Sequence, residues 1–239
     1  MNNNFDKISL ENSKFDQRYE TKFNITNLNN SQIVNIIKTN PAIFHNVHNK
    51  RFINNIYFDD INLTNYRDNI EGEKNRKKVR IRWYGNIFGL CKKPVLEIKF
   101  KTGLLGWKER YNLKEFSLNK LEYFNCKNIF RDLNKIRNSN ILNLFTKFLT
   151  PTLLNSYERT YYMSFDKKFR VTVDKKMKFY SINPTKNYFK TFLDDEQTIL
   201  ELKYKHIHYN IAEKITSHFP FRVTKNSKYV VGIDRLRNW

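Results

Sequence analysis

The chain contains little glycine, proline or cysteine. Its 239 residues include six glycines and five prolines, well below the roughly 12% combined share of an average protein, which excludes collagen-like and linker-rich chains. The two cysteines, Cys91 and Cys126, are too few for a disulfide framework and suit a reducing compartment. We therefore expect no structural disulfide, and we interpret Cys91 as a structural thiol.

Long apolar segments are also missing. No stretch approaches the roughly 18 apolar residues that a transmembrane helix needs. Residues 1–16 are polar and lack the apolar segment of a secretory signal. We expect a cytoplasmic protein in which a polar leader at residues 1–16 precedes a single domain at residues 17–239.

Acidic residues are scarce beside basic ones. The chain has 44 Lys and Arg against 23 Asp and Glu, which gives a formal net charge of +21. Such a charge repels itself unless a polyanion neutralises it, so a phosphate-rich partner is the first expectation. Twenty Phe and 14 Tyr supply material for a core, which excludes a disordered basic tail. Nucleic acid, an anionic membrane, a nucleotide and inorganic polyphosphate remain open on charge alone.

Two hydrophobic periods predict the secondary structure. The predicted strands are Gln17–Phe23, Phe52–Phe58, Lys77–Tyr84, Val95–Lys101, Trp107–Leu113, Leu153–Phe165, Phe169–Asp174, Met177–Ser181 and Thr198–Tyr204. The predicted helices are Ser31–Thr39, Ile61–Asn69, Ser117–Phe124, Ile129–Arg137, Ile141–Leu149 and Ser227–Leu236. Asn183–Glu196 shows no period and is predicted to be a loop. Antiparallel strands with interspersed helices indicate the α+β class.

Several predicted strands place charged side chains on one face and apolar side chains on the other. Arg80 and Arg82, for example, alternate with Val79 and Ile81. Exposure to solvent would explain any one such face. The repetition of the pattern in many strands instead favours a closed sheet whose charged faces point inward. Such an interior needs a polyanion and a metal ion, because lone buried charges are costly.

Short motifs in a fixed order run from about residue 17 to residue 236. They are Arg18-Tyr19-Glu20-Thr21-Lys22, Tyr57-Phe58-Asp59, Arg80-Ile81-Arg82-Trp83-Tyr84, Leu96-Glu97-Ile98-Lys99, Tyr157-Glu158-Arg159, Leu200-Glu201-Leu202-Lys203 and Ser227-Lys228-Tyr229. In this order they resemble the VTC-type polyphosphate polymerase domain, which belongs to the CYTH-like triphosphate tunnel metalloenzymes. The resemblance implies a closed antiparallel β-barrel, with helices packed outside and a C-terminal helix near one mouth of the tunnel.

The resemblance also implies roles for individual residues. The phosphate-binding side chains would be Lys22, Arg80, Arg82, Lys99, Lys108, Tyr157, Arg159, Arg170, Lys225 and Ser227. Lys228 would be the catalytic cation. Glu201 would bind the divalent cofactor, Mn²⁺ or Mg²⁺, with Glu20 and Glu97 as weaker candidates.

The implied activity is ATP-dependent polyphosphate synthesis, with ATP and inorganic polyphosphate as partners. A metal-dependent triphosphatase acting on inorganic or RNA 5′-triphosphate is the alternative enzyme, although it would be expected to carry more carboxylates. A non-catalytic module that binds polyphosphate or RNA is a further alternative, but it needs no metal-binding carboxylate. The basic run Lys74–Arg82 resembles a nucleic-acid patch, yet its alternation favours a strand. His45/His48 and His206/His208 have metal-like spacing without a third ligand, so we interpret them as surface residues.

Overall fold

The computed structural model describes residues 18–102, 105–119, 149–182, 189–195 and 197–237. The strands in these ranges are β1 (Arg18–Ile25), β2 (His45–Asp59), β3 (Asn75–Tyr84), β4 (Gly89–Cys91), β5 (Val95–Thr102), β6 (Leu105–Asn112), β7 (Phe116–Leu118), β8 (Thr150–Met163), β9 (Phe169–Ile182), β10 (Phe189–Asp195) and β11 (Thr198–Lys205). The α-helices are α1 (Asn30–Lys38), α2 (Thr64–Glu71), α3 (Tyr209–Ser217) and α4 (Lys228–Arg237), and a 3₁₀ turn spans His206–His208. None of the described helices is long and apolar enough to span a bilayer.

The strands form one large sheet and one small sheet. The large sheet has the order β1-β11-β9-β8-β2-β3-β5-β6, with β10 paired to β9, and β4 pairs with β7 in the small sheet. The strand pairs with described register are antiparallel. The predicted α+β class is therefore confirmed. Over the described residues neither sheet closes on itself, so the closed barrel stays a prediction.

Some predicted elements differ from the structure. The two strands predicted on either side of Lys176 form one strand, β9, which continues through this residue despite its positive φ of 52°. The loop predicted at Asn183–Glu196 contains β10, whose register comes from pairing with β9 and not from a period of its own. The helix predicted at Ser117–Phe124 begins inside β7.

One helix was not predicted, and other predictions fall outside the described residues. Helix α3 buries Ala212 and Ile215, which lie three positions apart on one face, so its helical period is present in the sequence and was missed. The predicted helices Ile129–Arg137 and Ile141–Leu149 lie outside the described residues, except for the last residue of the second. The leader at residues 1–16 and Cys126 also lie outside them.

Contacts among the described residues divide the chain into two units. The first unit contains the described residues up to Lys50, together with Arg159–Lys175 and Gln197–Asn226, and the second unit contains the others. The single domain at residues 17–239 stays a prediction.

Each unit has its own apolar core, and the predicted apolar strand faces supply it. In the first unit, Phe23, Leu200 and Leu202 are fully buried beneath residues of α1 and α3. In the second unit, Ile81 and Trp83 are fully buried. The alternation of charged and apolar residues in the sequence therefore identifies correctly which face of these strands packs in the apolar core.

Cys91 lies in the second core and is fully buried. Burial raises the pKa of its thiol to about 12, which makes the thiol unreactive at neutral pH. This agrees with a structural role for Cys91.

Helix α4 packs closely against strands β8 and β9 of its own unit. It begins after Ser227, whose carbonyl accepts a hydrogen bond from the Val231 amide. A Cβ atom at Gly232 would lie 2.5 Å from Leu153 Cδ2 and 2.7 Å from Phe179 Cδ1. Glycine at this position therefore allows α4 to approach β8 and β9 more closely than any other residue would.

Candidate functional site

One buried carboxylate in the second unit is surrounded by four cations. Glu97 on β5 is 4% exposed, and Arg80 donates to its Oε2 from Nε at 2.9 Å and from Nη2 at 2.6 Å. Arg82 Nη1 lies 3.4 Å from the same oxygen. Lys108 Nζ and Arg110 Nε lie 3.7 Å and 3.2 Å from Oε1. We call these five residues the Glu97 cluster, in which one acidic charge is shared by four basic ones.

The strand register assembles the Glu97 cluster. Glu97 pairs with Arg80 on β3 and with Arg110 on β6, so the three side chains lie on one face. One step along the same face, Lys99 pairs with Lys78 and with Lys108. Like charges that lie directly opposite one another destabilise a sheet. Repulsion among these three lysines therefore destabilises the sheet, and a bound anion would relieve it.

The cations control the ionisation of Glu97. Burial alone would raise the pKa of this carboxyl, but the charges of Arg80, Arg82 and Lys108 outweigh it and lower the pKa to about 2. Glu97 is therefore ionised at neutral pH, and three positive charges of the cluster are still not balanced by it. This excess of positive charge is suited to a strongly anionic ligand.

Two tyrosines and the start of α4 adjoin the Glu97 cluster. Tyr57 Oη accepts a hydrogen bond from Arg80 at 3.3 Å, and Tyr157 Oη accepts one from Arg82 at 3.4 Å. Lys228, the first residue of α4, is 9% exposed and places its Nζ 4.8 Å from the centre of the Tyr157 ring. The ammonium group therefore lies over the ring of the same tyrosine whose hydroxyl accepts from Arg82.

The anchoring of α4 fixes the position of Lys228. The next residue, Tyr229, donates a hydrogen bond from its hydroxyl to Asp59 Oδ2 at 2.6 Å and stacks on Tyr57 with 5.2 Å between ring centres. Immediately before the helix, Ser227 Oγ accepts a hydrogen bond from Lys78 at 2.8 Å. Lys228 therefore lies between two residues that are both bound to strands of the sheet.

The first unit has a second charged cluster, in which carboxylates and cations are equal in number. Lys22 Nζ lies 2.8 Å from Glu20 and 3.7 Å from Glu201. Lys203 Nζ lies 2.8 Å from Glu201 and 3.6 Å from Glu20. The two carboxylates on β1 and β11 thus share the same two ammonium groups.

A buried arginine extends this arrangement. Arg159 Nη2 donates to Asp174 Oδ2 at 2.6 Å and to Glu201 Oε2 at 3.3 Å. Asp174 is fully buried and Arg159 is 8% exposed. We call Glu20, Lys22, Arg159, Asp174, Glu201 and Lys203 the Glu201 cluster. Its formal charges balance, so a divalent cation and a phosphate that bound there together would change its net charge only slightly.

The residues of the Glu201 cluster are suitable for a divalent cation that is also bound by phosphate. No group of three or more His, Cys, Asp or Glu side chains in the described ranges could hold a metal ion alone. Magnesium, however, commonly uses one or two carboxylates and takes its remaining ligands from phosphates and water. Thr172 pairs in register with Glu201, is 2% exposed, and its hydroxyl has no hydrogen-bond partner among the described residues. Thr172 and Glu201 are therefore hard oxygen donors on neighbouring strands.

The predicted site residues divide between the two units. In the second unit the structure places Arg80, Arg82, Lys99, Lys108, Tyr157, Ser227 and Lys228. In the first unit it places Lys22, Arg159, Arg170, Lys225 and Glu201. Arg170 pairs with Lys203 in register, and Lys225 is exposed. Three of the histidines with metal-like spacing, His45, His48 and His206, are exposed as predicted.

Four charged residues in or beside these clusters were not among the predicted site residues. Lys78 and Arg110 are two positions from Arg80 and Lys108, so the period-two alternation of those strands could have identified them. Lys203 belongs to a Glu-x-Lys motif and had the same signal. Asp174 had no such signal, because its position beside Arg159 depends on how two distant strands are placed.

Comparison with known proteins identifies one family. The model of the VTC domain matches residues 17–237, and no curated protein matches the chain. Among solved structures, a protein from Pyrococcus horikoshii OT3 has a TM-score of 0.51 at 11% identity, over 91% of this chain and 99% of the other. This likeness shows a shared fold.

Two further solved structures are similar over most of their length. A candidate adenylate cyclase from Vibrio parahaemolyticus has a TM-score of 0.48 at 11% identity, covering 90% of this chain and 97% of that chain. A candidate adenylyl cyclase from Hippeastrum with a dominant triphosphatase activity has a TM-score of 0.43 at 11% identity, covering 91% and 96%.

Proposed function

The chain belongs to the VTC domain family, and from this premise we propose that it is a metal-dependent polyphosphate polymerase that uses ATP. The observation that carries the proposal is the Glu97 cluster, with four cations around one buried carboxylate. A linear polyphosphate offers closely spaced anionic oxygens that accept hydrogen bonds and donate none. It therefore matches a surface rich in Arg and Lys donors.

The proposed reaction lengthens the polyphosphate chain by one phosphate. A terminal oxygen of the acceptor chain attacks the γ-phosphorus of ATP, the bond from that phosphorus to the β–γ bridging oxygen breaks, and ADP leaves with the bonding electrons. Phosphoryl transfer depends mainly on alignment and on neutralisation of charge. The attacking oxygen is already anionic, so no general base is required.

The residues of the chain supply the alignment and the charge. Arg80, Arg82 and Lys108 would bind phosphate oxygens, and the buried ammonium of Lys228 would stabilise the charge that develops during transfer. Fixed cations contribute most where water is excluded, and Lys228 is 9% exposed. The tunnel implied by the family resemblance, in which these side chains would point inward, is part of the same proposal.

Glu201, with Thr172 opposite it on β9 and Glu20 diagonally across from it on β1, would hold the Mg²⁺ or Mn²⁺ ion. When bound, the ion would act as a Lewis acid that neutralises phosphate charge. The ammonium groups of Lys22 and Lys203 contact the same Glu201 carboxylate.

Incubation of the purified protein with ATP and Mn²⁺ or Mg²⁺ is expected to yield long polyphosphate, detected as a ladder on a urea gel that an exopolyphosphatase removes. Glu201→Gln should lower the metal-dependent rate at least about tenfold, because even the loss of a group that supports a metal ligand has an effect of this size. The exposed Glu213→Gln on α3 is the matched control and should remain active. Release of phosphate from tripolyphosphate without chain growth would instead indicate a triphosphatase. Tight binding without either reaction would indicate a binding module.

The binding of polyphosphate should weaken as the pH rises through 8. Partial burial is the main cause that lowers the pKa of Lys108 to about 8, and the neighbouring cation Arg110 adds to it. Lys108 is therefore charged below this pH and loses its proton above it. Between pH 7 and pH 9 we expect the affinity for tripolyphosphate to fall about fivefold, the contribution of one ion pair near the surface.

Isothermal titration calorimetry at constant ionic strength measures this change. The Lys108→Arg variant keeps its charge throughout the range, so the difference between its pH profile and that of the wild type isolates Lys108 from the titration of the phosphate itself. Parallel profiles for the two proteins would contradict the assignment of the titration to Lys108.

A further inference from the structure

Two buried asparagines connect strand β8 to the guanidinium of Arg82. Arg82 Nε donates to Asn55 Oδ1 at 2.9 Å, and Asn55 Nδ2 donates to Asn155 Oδ1 at 2.9 Å. Both asparagines are fully buried. Neither was predicted from the sequence to take part in a site.

The arginine determines the direction of this series of hydrogen bonds. A guanidinium N–H can only donate, so Asn55 must turn its oxygen towards Arg82 and its amide nitrogen towards Asn155. Asn155 must then turn its own oxygen towards Asn55. Its Nδ2 consequently points away and has no hydrogen-bond partner among the described residues.

The amide nitrogen of Asn155 has no partner among the described residues, which indicates that stability alone does not account for an asparagine here. A buried donor without a partner destabilises a fold, whereas apolar groups of similar shape in place of both partners are nearly neutral. Leucine at both positions would remove the unpartnered amide and would leave only Arg82 Nε without its partner. What the asparagines provide is a fixed orientation of Arg82, whose Nη1 lies 3.4 Å from Glu97 and whose Nη2 donates to Tyr157.

We propose that Asn155 is a positioning residue for the phosphate site, acting through Asn55 to hold the guanidinium of Arg82 in the orientation that binds a phosphate chain. The inference rests on the proposed function, because it takes polyphosphate as the ligand of the Glu97 cluster. Asn155 itself need not touch the ligand. Its oxygen holds Asn55, and Asn55 holds Nε of Arg82, which adds a third contact to those that Nη1 and Nη2 make with Glu97 and Tyr157.

A double-mutant cycle tests the proposal, with the affinity for tripolyphosphate measured by calorimetry. Asn155→Leu and Asn55→Leu are each expected to weaken binding about tenfold, the effect of misplacing one charge-assisted contact. Because Asn155 acts through Asn55, the double variant should bind no more weakly than Asn55→Leu alone. Thermal unfolding of the double variant should lie closer to the wild type than that of either single variant, since both buried partners have been replaced.

Asn54→Leu is the matched control, because Asn54 is also fully buried but lies on the opposite face of β2 and donates to the carbonyls of Gly85 and Asn86. It should lose stability without losing affinity. Asn155→Ser, whose side chain is too short to reach Asn55, repeats the test if the leucine variant does not fold.

Each remaining outcome overturns the inference. Wild-type affinity in Asn155→Leu and Asn155→Ser would show that the orientation of Arg82 does not depend on Asn155. Equal losses from Asn155→Leu in the wild-type and Asn55→Leu backgrounds would show that it acts independently of Asn55. Absence of tripolyphosphate binding by the wild type would reject the proposed function itself, and the inference with it.

Discussion

Replacement of Lys228 by alanine is expected to lower the rate of polyphosphate synthesis by about 10²–10³-fold, the effect of removing one preorganised charge from a transition state. Lys228 is buried at the start of α4, and its ammonium group lies against the Tyr157 ring. At a buried position, solvent can compensate only poorly for the loss of this positive charge. The loss should therefore fall mainly on kcat, while the Glu97 cluster continues to bind the phosphate chain.

Steady-state kinetics with ATP, together with calorimetric binding of tripolyphosphate, separates the two contributions. Arg235→Ala removes an exposed cation from the same helix and should change neither value appreciably. Thermal unfolding of both variants checks that α4 remains in place. A loss confined to KM, or a decrease in kcat of less than about tenfold, would show that Lys228 binds substrate without assisting the transfer.

The sequence predicts the charged strand faces well because they depend on a local period. Arg80 and Arg82 alternate with residues of the core, and the structure buries Val79 and Ile81 on the other face. The start of α4 at Lys228 is also close to its prediction. Both features follow from neighbours in the chain, so composition and spacing are sufficient to find them.

The contacts of Glu97 in the second unit could not be predicted in the same way. The sequence gives Glu97 only as a weak candidate for metal contact, whereas in the structure it is the partner of four cations. Arg110 reaches it because β5 and β6 pair in one register, and a shift by one residue would move it to the other face. Pairing between strands, which no local period specifies, decides which charges meet.

The same reason explains why Asn55 and Asn155 were missed. Each lies in a predicted strand beside a second polar residue, Asn54 or Ser156, and 100 positions separate the two in the chain. Their function becomes visible only once the fold places both beside Arg82. A single sequence is thus least informative about polar residues inside predicted strands, because their partners are distant in the chain.

Replacement of Glu97 by glutamine is expected to lower the free energy of unfolding by about 3 kcal/mol at pH 7, the value that corresponds to the shift of its pKa from 4.5 to about 2. The variant leaves four cations around a neutral amide, and breaking a buried ion pair on one side is strongly destabilising. Tripolyphosphate should raise the unfolding temperature of the variant more than that of the wild type, because the phosphate supplies the missing negative charge.

The pH dependence of this loss distinguishes charge from packing. Since the folded protein lowers the pKa of Glu97, its stabilising contribution is complete above about pH 5 and disappears as the pH falls from 4.5 towards 2. Urea unfolding at pH 7, 4 and 3 should therefore show the difference between wild type and Glu97→Gln shrinking as acid is added, while the exposed Glu115→Gln behaves as the wild type throughout. A difference that is the same at pH 3 and pH 7 would mean that the amide packs badly, and the four cations would then be tolerated without a counter-charge. A difference that vanishes in acid would mean that the fold itself holds an excess of positive charge in place, which is the condition that a site for a long phosphate chain requires.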